Sequence, residues 1–177
     1  MKRAVLAVLG ALAIAGAARA EAPEPRRPLD LERFMGRWYE ILRTPNGNER
    51  NCYAVYQDWS AQERAGKSEQ RFQISQHCHR GSPTGSDRVV NTSARVLNPP
   101  ANTKFEASFF GGLIRGRYWV VDHADDYSWM IATTEDGRYP ALLARTPGLP
   151  TPQQDRLKAR MAQIGFDTGK LQAVGEP

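Results

Sequence analysis

From Arg37 to Arg145 the chain repeats one arrangement: a short run rich in β-branched and aromatic residues, then a cluster of turn formers, then another run. The runs are Arg37–Leu42, Cys52–Trp59, Arg71–Cys78, Val89–Asn98, Lys104–Phe110, Arg117–His123, Tyr127–Thr134 and Tyr139–Arg145. The segments between them, such as TPNGN, RGSPTGSD, NPPANT and EDGR, hold the Gly, Pro, Asn and Asp that tight turns require. Links this short join neighbouring antiparallel strands and leave no length for the crossovers of a parallel sheet. Within the runs, polarity alternates. Phe105, Ala107 and Phe109 fall on one face of a strand, Glu106 and Ser108 on the other. One face is therefore buried and the other wetted. A meander of eight strands with that polarity closes on itself, because closure removes both open edges. The expected fold is all-β, an eight-stranded antiparallel up-and-down barrel whose inward positions enclose a packed core or a small cavity.

The flanks have other periods. LDLERFMG, Leu29 to Gly36, reads as a short helical turn feeding the first strand. After the last strand, Leu157, Met161 and Ile164 recur at helical spacing. Thr151 reads as the N-cap, Pro152 as the first helical residue, Gln154 as the capping-box partner and Gly165 as the stop. One C-terminal α-helix is expected, packed by its apolar stripe on the outside of the barrel. At the other end, Lys2 and Arg3 precede the apolar stretch Ala4–Ala18, and Ala18-Arg19-Ala20 offers small residues for cleavage, the plan of an export signal peptide. That stretch is shorter than the roughly 20 residues of a membrane span. The expected division is a signal peptide over 1–20, a disordered lead-in over 21–28 and a single domain over 29–177. The mature chain is expected in the periplasm or secreted, after cleavage near Ala20.

The whole chain has 24 Lys and Arg against 19 Asp and Glu, but Lys2, Arg3 and Arg19 belong to the signal peptide, which leaves 21 against 19. A sign-mixed chain without a basic block is not built for nucleic acid. Two cysteines in an exported chain predict a Cys52–Cys78 disulfide, with two free thiols as the alternative. A hairpin turn centred on Ala65 would set residue 52 opposite residue 78. Chemistry-bearing clusters are few. His77-x-His79 puts two imidazoles on one face of a strand without a third ligand, a poor metal site. Asp122, Asp125 and Asp126 around His123 read as a solvated turn with capping aspartates. No nucleophile elbow or phosphate loop is present. No catalytic set, metal site or cofactor is expected.

The stretch FMGRWYEI, Phe34 to Ile41, places an indole and a phenol side by side at the start of the first strand, each with a polar atom that needs a partner. GRWYEI resembles the Gly-x-Trp-Tyr-Glu motif of lipocalins, in the bacterial outer-membrane lipocalin and apolipoprotein-D-like branch. SFFGGLIRGRYWVVDHADDYSWMIA, Ser108 to Ala132, is similar to that branch's fifth-to-seventh-strand region, and LLARTP, Leu142 to Pro147, to its last strand. The resemblance runs from about Leu29 to Gln172. It implies that Trp38 plugs a closed end of the barrel with Arg145 stacked over it, that Gly36 lets the backbone turn into the strand, and that Tyr127 sits at the same end.

The resemblance also implies a ligand cavity at the opposite end. Its wall would come from Phe72, Ile74, Thr92, Ala94, Val96, Phe105, Ala107, Phe109, Tyr118, Val120, Tyr139, Ala141 and Leu143. Its mouth would be framed by loops 44–51, 80–87, 111–116 and 135–138. The family's last strand often carries an aromatic where this chain has Ala141, which should widen one wall. The expected partner is a small hydrophobic ligand of the fatty acid or lysophospholipid class, with transient membrane contact through Gly111–Gly116. Two other readings compete. One is an enzyme acting on an apolar substrate through Tyr118, Tyr139 or Glu40, and the other is a structural envelope protein with a filled barrel. Oligomeric state is left open.

Overall fold

The computed structural model describes residues 21–62 and 70–174. Each expected run contains a strand: β1 (Gly36–Arg43), β2 (Cys52–Gln62), β3 (Arg71–Arg80), β4 (Asp87–Val96), β5 (Lys104–Phe109), β6 (Ile114–His123), β7 (Trp129–Thr134) and β8 (Ala141–Ala144). Sequential neighbours pair antiparallel from β2 to β8, and β1 closes the ring by pairing with both β8 and β2. A short helix, α1 (Leu31–Phe34), precedes β1, and its N-cap Asp30 accepts from the Glu32 and Arg33 amides. The signal peptide expected over 1–20 and most of the β2–β3 turn lie outside the described residues.

Two apolar layers follow from the alternation. Inside, Phe34, Trp38, Phe72, Phe105, Met130 and Leu143 pack together. Outside, Ile41, Leu42, Val121, Ile131 and Leu142 form a patch covered by the helix α2 (Thr151–Ile164), through Leu157 and Met161. At α2's start the expectation needs correction. Pro150 is the N-cap and has no side-chain bond, Thr151 is already helical, and Gln154 Nε2 donates instead to Leu149 O at 2.7 Å. A proline pair's fixed φ sets the helix start without a hydroxyl cap. Gly165 ends the helix at φ +112°, where a glycine carries no steric cost.

The segment 21–28 reads as disordered from its prolines and charges, but the structure lays it along the outer wall. Ala22 is buried and donates to Glu135 O at 2.8 Å, Glu24 pairs with Lys104 at 2.9 Å, and Arg27 meets Asp125 and His123 O. Asp122, read as part of a solvated turn, is buried beneath α2 and paired with Arg160. Residues 172–173 form a further short strand, β9 (Gln172–Ala173), against Leu42 and Arg43 of β1. That edge is vacant because β1 and β2 pair only from Gly36↔Trp59 to Tyr39↔Tyr56.

Cys52 and Cys78 are disulfide-bonded with their Cα atoms 5.1 Å apart. They are not directly opposed. Cys52 faces Arg80, and the register shifts between Tyr53 and Tyr56, where Ala54 has φ +49°. From Gln62↔Arg71 to Tyr56↔His77 the register is three residues off the one a turn at Ala65 would give; the bulge recovers one of them, and the bond runs diagonally.

Candidate ligand-binding site

The sequence of β1 fixes the lower end of the site. Trp38 is fully buried, and its Nε1 donates to Phe34 O at 2.9 Å. Arg145, one residue past β8, sets its guanidinium carbon 3.7 Å from the centre of the Trp38 ring. It also donates to Arg33 O at 2.7 Å, Arg37 O at 2.8 Å and Phe34 O at 3.1 Å. These are carbonyls that α1 and its exit leave over. Gly36 has φ +96°, and a Cβ there would come within 3.4 Å of Arg145 Nη1. The backbone conformation calls for glycine, while a Cβ would make only an ordinary contact with Arg145. Tyr127, at φ +60°, accepts from the Asp30 amide at 2.7 Å and stacks on His123 with centroids 4.8 Å apart. These four residues gather at one end and seal it together with α1.

Above this floor lies a cavity of about 750 Å³. It falls within the roughly 300–1,000 Å³ of pockets that enclose a small organic ligand, so the barrel is not filled by its own side chains. Of the expected wall residues, Ile74, Thr92, Ala94, Phe105, Ala107, Phe109, Tyr118, Val120, Tyr139, Ala141 and Leu143 line it. Phe72 and Val96 do not. They sit at the closed ends of β3 and β4, packed into the floor with Phe34 and Phe105. Alternation tells which face a residue takes but not its height along the barrel.

The sequence reading missed Trp59, Met130 and Ala132 on the wall, although the same alternation along β2 and β7 carries them. It also missed a polar wall. Gln57, Gln76, Glu49 and Arg43 line the cavity beside Glu40. Arg43 Nη1 donates to Glu40 Oε2 at 2.8 Å and lies 3.5 Å from Glu49 Oε2. Its Nη2 donates to the Glu49 and Cys52 carbonyls, each at 3.2 Å. Gln76 Nε2 donates to Glu49 Oε1 at 2.6 Å. Burial pushes the Glu40 carboxyl up to about 7, with Glu49 adding to the rise and Arg43 opposing it. Burial also raises the Tyr118 phenol, and Glu49 contributes.

At the mouth, the loops around Thr44–Glu49 and Phe110–Gly116 line the opening, while the other two contribute only through the flanking Arg88, Thr134 and Tyr139. Phe110, Leu113 and Ile114 are exposed on this rim, Leu113 by 88%. Away from the cavity, His77 stacks on Tyr56 with centroids 4.3 Å apart and meets Asp87 at 2.7 Å.

A closed antiparallel barrel, plugged at one end and hollow toward the other, defines a class of small-molecule-binding proteins. The lipocalin-like domain family model matches residues 29–176, and the chain belongs to that family. It is 25% identical over 152 residues to the outer membrane lipoprotein Blc of Vibrio cholerae, covering 85% of each chain. It is also 25% identical over 162 residues to mouse apolipoprotein D, covering 84% of this chain and 78% of that one. Among solved structures, tobacco hornworm insecticyanin aligns with a TM-score of 0.66 at 16% identity, over 90% of this chain and 88% of that one. This last likeness is one of fold.

Proposed function

We propose that this protein is an exported carrier that takes a lipid or other small hydrophobic molecule, of the single-chain fatty acid or lysophospholipid class, into its barrel. The observation that carries this reading is the cavity itself: about 750 Å³, sealed below and walled largely by Ile74, Ala94, Phe105, Val120 and Leu143. Each methylene buried there contributes about 0.8 kcal/mol, enough to hold an alkyl chain without covalent chemistry. The relatives' names, outer membrane lipoprotein and apolipoprotein D, support a working place at or near an envelope or lipid surface. The exposed Phe110, Leu113 and Ile114 support brief docking of the mouth on a bilayer, where the ligand would be exchanged. Tyr118, Tyr139 and Glu40 all line the cavity, but none hydrogen-bonds another among the described residues, and the reading takes them as lining rather than as a catalytic set.

Delipidated protein titrated with lysophospholipids and fatty acids tests this. Trp59 lines the cavity, so its emission should change and saturate at one equivalent. A full panel without saturable binding would refute the carrier reading. Replacing Leu113, which is exposed outside the cavity lining, by serine should reduce sedimentation with anionic vesicles and leave ligand affinity in solution unchanged.

A further inference from the structure

The cavity has two unlike walls. β4, β5 and β6 present Ala94, Ala107, Phe109 and Val120, whereas β1, β2, β3 and the loop after β1 present Glu40, Arg43, Gln57, Gln76 and Glu49. Glu40 stands two residues, about 7 Å, up the strand from the Trp38 plug. A guest long enough to reach the floor must therefore pass it. Its side chain is only 7% exposed. Glu40 lines the cavity, and its Oε2 accepts from Arg43, which leaves Oε1 without a hydrogen bond from any other described residue.

The charges around Glu40 do not balance. Arg43 alone faces it from β1 as a cation, and Arg43 also serves Glu49 and two backbone carbonyls. Glu49 repels it from the loop. β8 sets the neutral Leu143 opposite, and β2 and β3 contribute neutral amides. From β6, Tyr118 is a neutral phenol, and Arg115 lies 3.5 Å from Glu106. Arg88 of β4 is exposed at the rim. Two carboxylates thus share one guanidinium in a desolvated pocket, and the deficit of positive charge falls on Glu40 Oε1.

We propose that the cavity selects amphiphiles carrying an ammonium group, which seats against Glu40 beside Arg43 while the alkyl chain lies on the β4–β6 wall. This rests on the carrier reading and narrows its ligand class. A bare carboxylate head would meet Glu40 and Glu49 as like charges, whereas an ammonium completes the set.

The test is displacement of a fluorescent alkyl probe by decylammonium, decanol and decanoate at pH 8 and pH 5.5, on wild type and Glu40→Gln. The wild type should bind decylammonium at least tenfold more tightly than decanol at pH 8, and decanoate more weakly than decanol. The ammonium preference should shrink toward parity at pH 5.5, where the carboxyl holds its own proton. Calorimetry in buffers of different ionisation enthalpy should show a proton released as decylammonium binds near pH 7. Glu40→Gln should lose both the preference and the proton release. Binding of decanol with no ammonium preference at pH 8, or a preference that survives in Glu40→Gln, would overturn this inference and leave the carrier reading standing. Failure of all three probes to bind would overturn both.

Discussion

Arg145 carries its charge into a half-buried site because backbone carbonyls and an indole replace the water it gives up. Burial lowers its pKa, and the three carbonyls and the Trp38 face oppose the cost of desolvation. Arg145→Ala should cost about 2–4 kcal/mol, from the lost stacking and the carbonyls left unpaired, read by urea denaturation. Arg145→Lys should recover only part of that, since a compact ammonium lacks the flat guanidinium that stacks on the indole while spreading its donors over separate carbonyls.

Glu40 is the opposite case, a charge poorly compensated where it sits. Its pKa rises from an ordinary 4.5 to about 7. Between those values the folded state holds a proton that the unfolded chain has released. Its contribution to stability is therefore full below about pH 4.5 and fades as the pH climbs through 7. Relative to wild type, Glu40→Gln should gain up to about 3 kcal/mol across that window, measured as the difference between denaturation curves at pH 4.5 and pH 8. Trp38 and Arg145 could be placed from sequence because motif and chemistry agree at both positions. The Glu40–Arg43–Glu49 group could not, because Glu49 comes from a loop whose path no periodicity fixes.

At the scale of elements, the disulfide shows how far pattern reading reaches. Pairing of β2 with β3 followed from their lengths and the turn between them, and the bond followed from an even cysteine count. The register did not, because it is already offset at Gln62↔Arg71, where no residue pattern fixes how a long link centres itself, and the bulge at Ala54 then shifts it once more. Cys52→Ser/Cys78→Ser opens a 27-residue loop, and the chain-entropy account puts the loss at about 3.5 kcal/mol, read as a lower denaturation midpoint. On the outer face a charge ladder crosses three strands, β4 to β6, and reaches the turn after β7. Arg95 meets Glu106 at 3.0 Å, Arg117 approaches Glu106 at 3.5 Å, and Arg117 meets Glu135 at 3.0 Å. The Arg95 hydrogen bond, first among several arginine contacts, holds the Glu106 carboxyl below its usual range. The alternation predicted that Glu106 would face outward. It could not show that arginines from neighbouring strands would cover the carboxylate, which depends on cross-strand register.

At the scale of the whole molecule, the hollow exists because small residues stand side by side on neighbouring strands of its wall. Ala94 pairs with Ala107, and Ala141 lies between Arg43 and Ala132. Ala141→Phe should project a ring into the cavity and weaken decanol binding at least tenfold while leaving the denaturation midpoint within about 1 kcal/mol of wild type, checked by titration and urea melts in parallel. Strand number, closure and plug were legible in the sequence. The strap over 21–28 and the added strand β9 were not, because their docking depends on edges and grooves that exist only once the barrel is formed.

The seam between β1 and β2 is stitched by backbone pairing near the plug, and near the lip only the Arg43 bond to Cys52 O crosses it, at the residue whose disulfide holds β2 to β3. A vessel sewn this way should slacken at its rim before its base gives. Mild reduction without denaturant should let a guest leak out while far-ultraviolet dichroism and the emission of the sealed Trp38 stay unchanged, making thiol–disulfide poise a valve on retention before the weakened barrel unfolds.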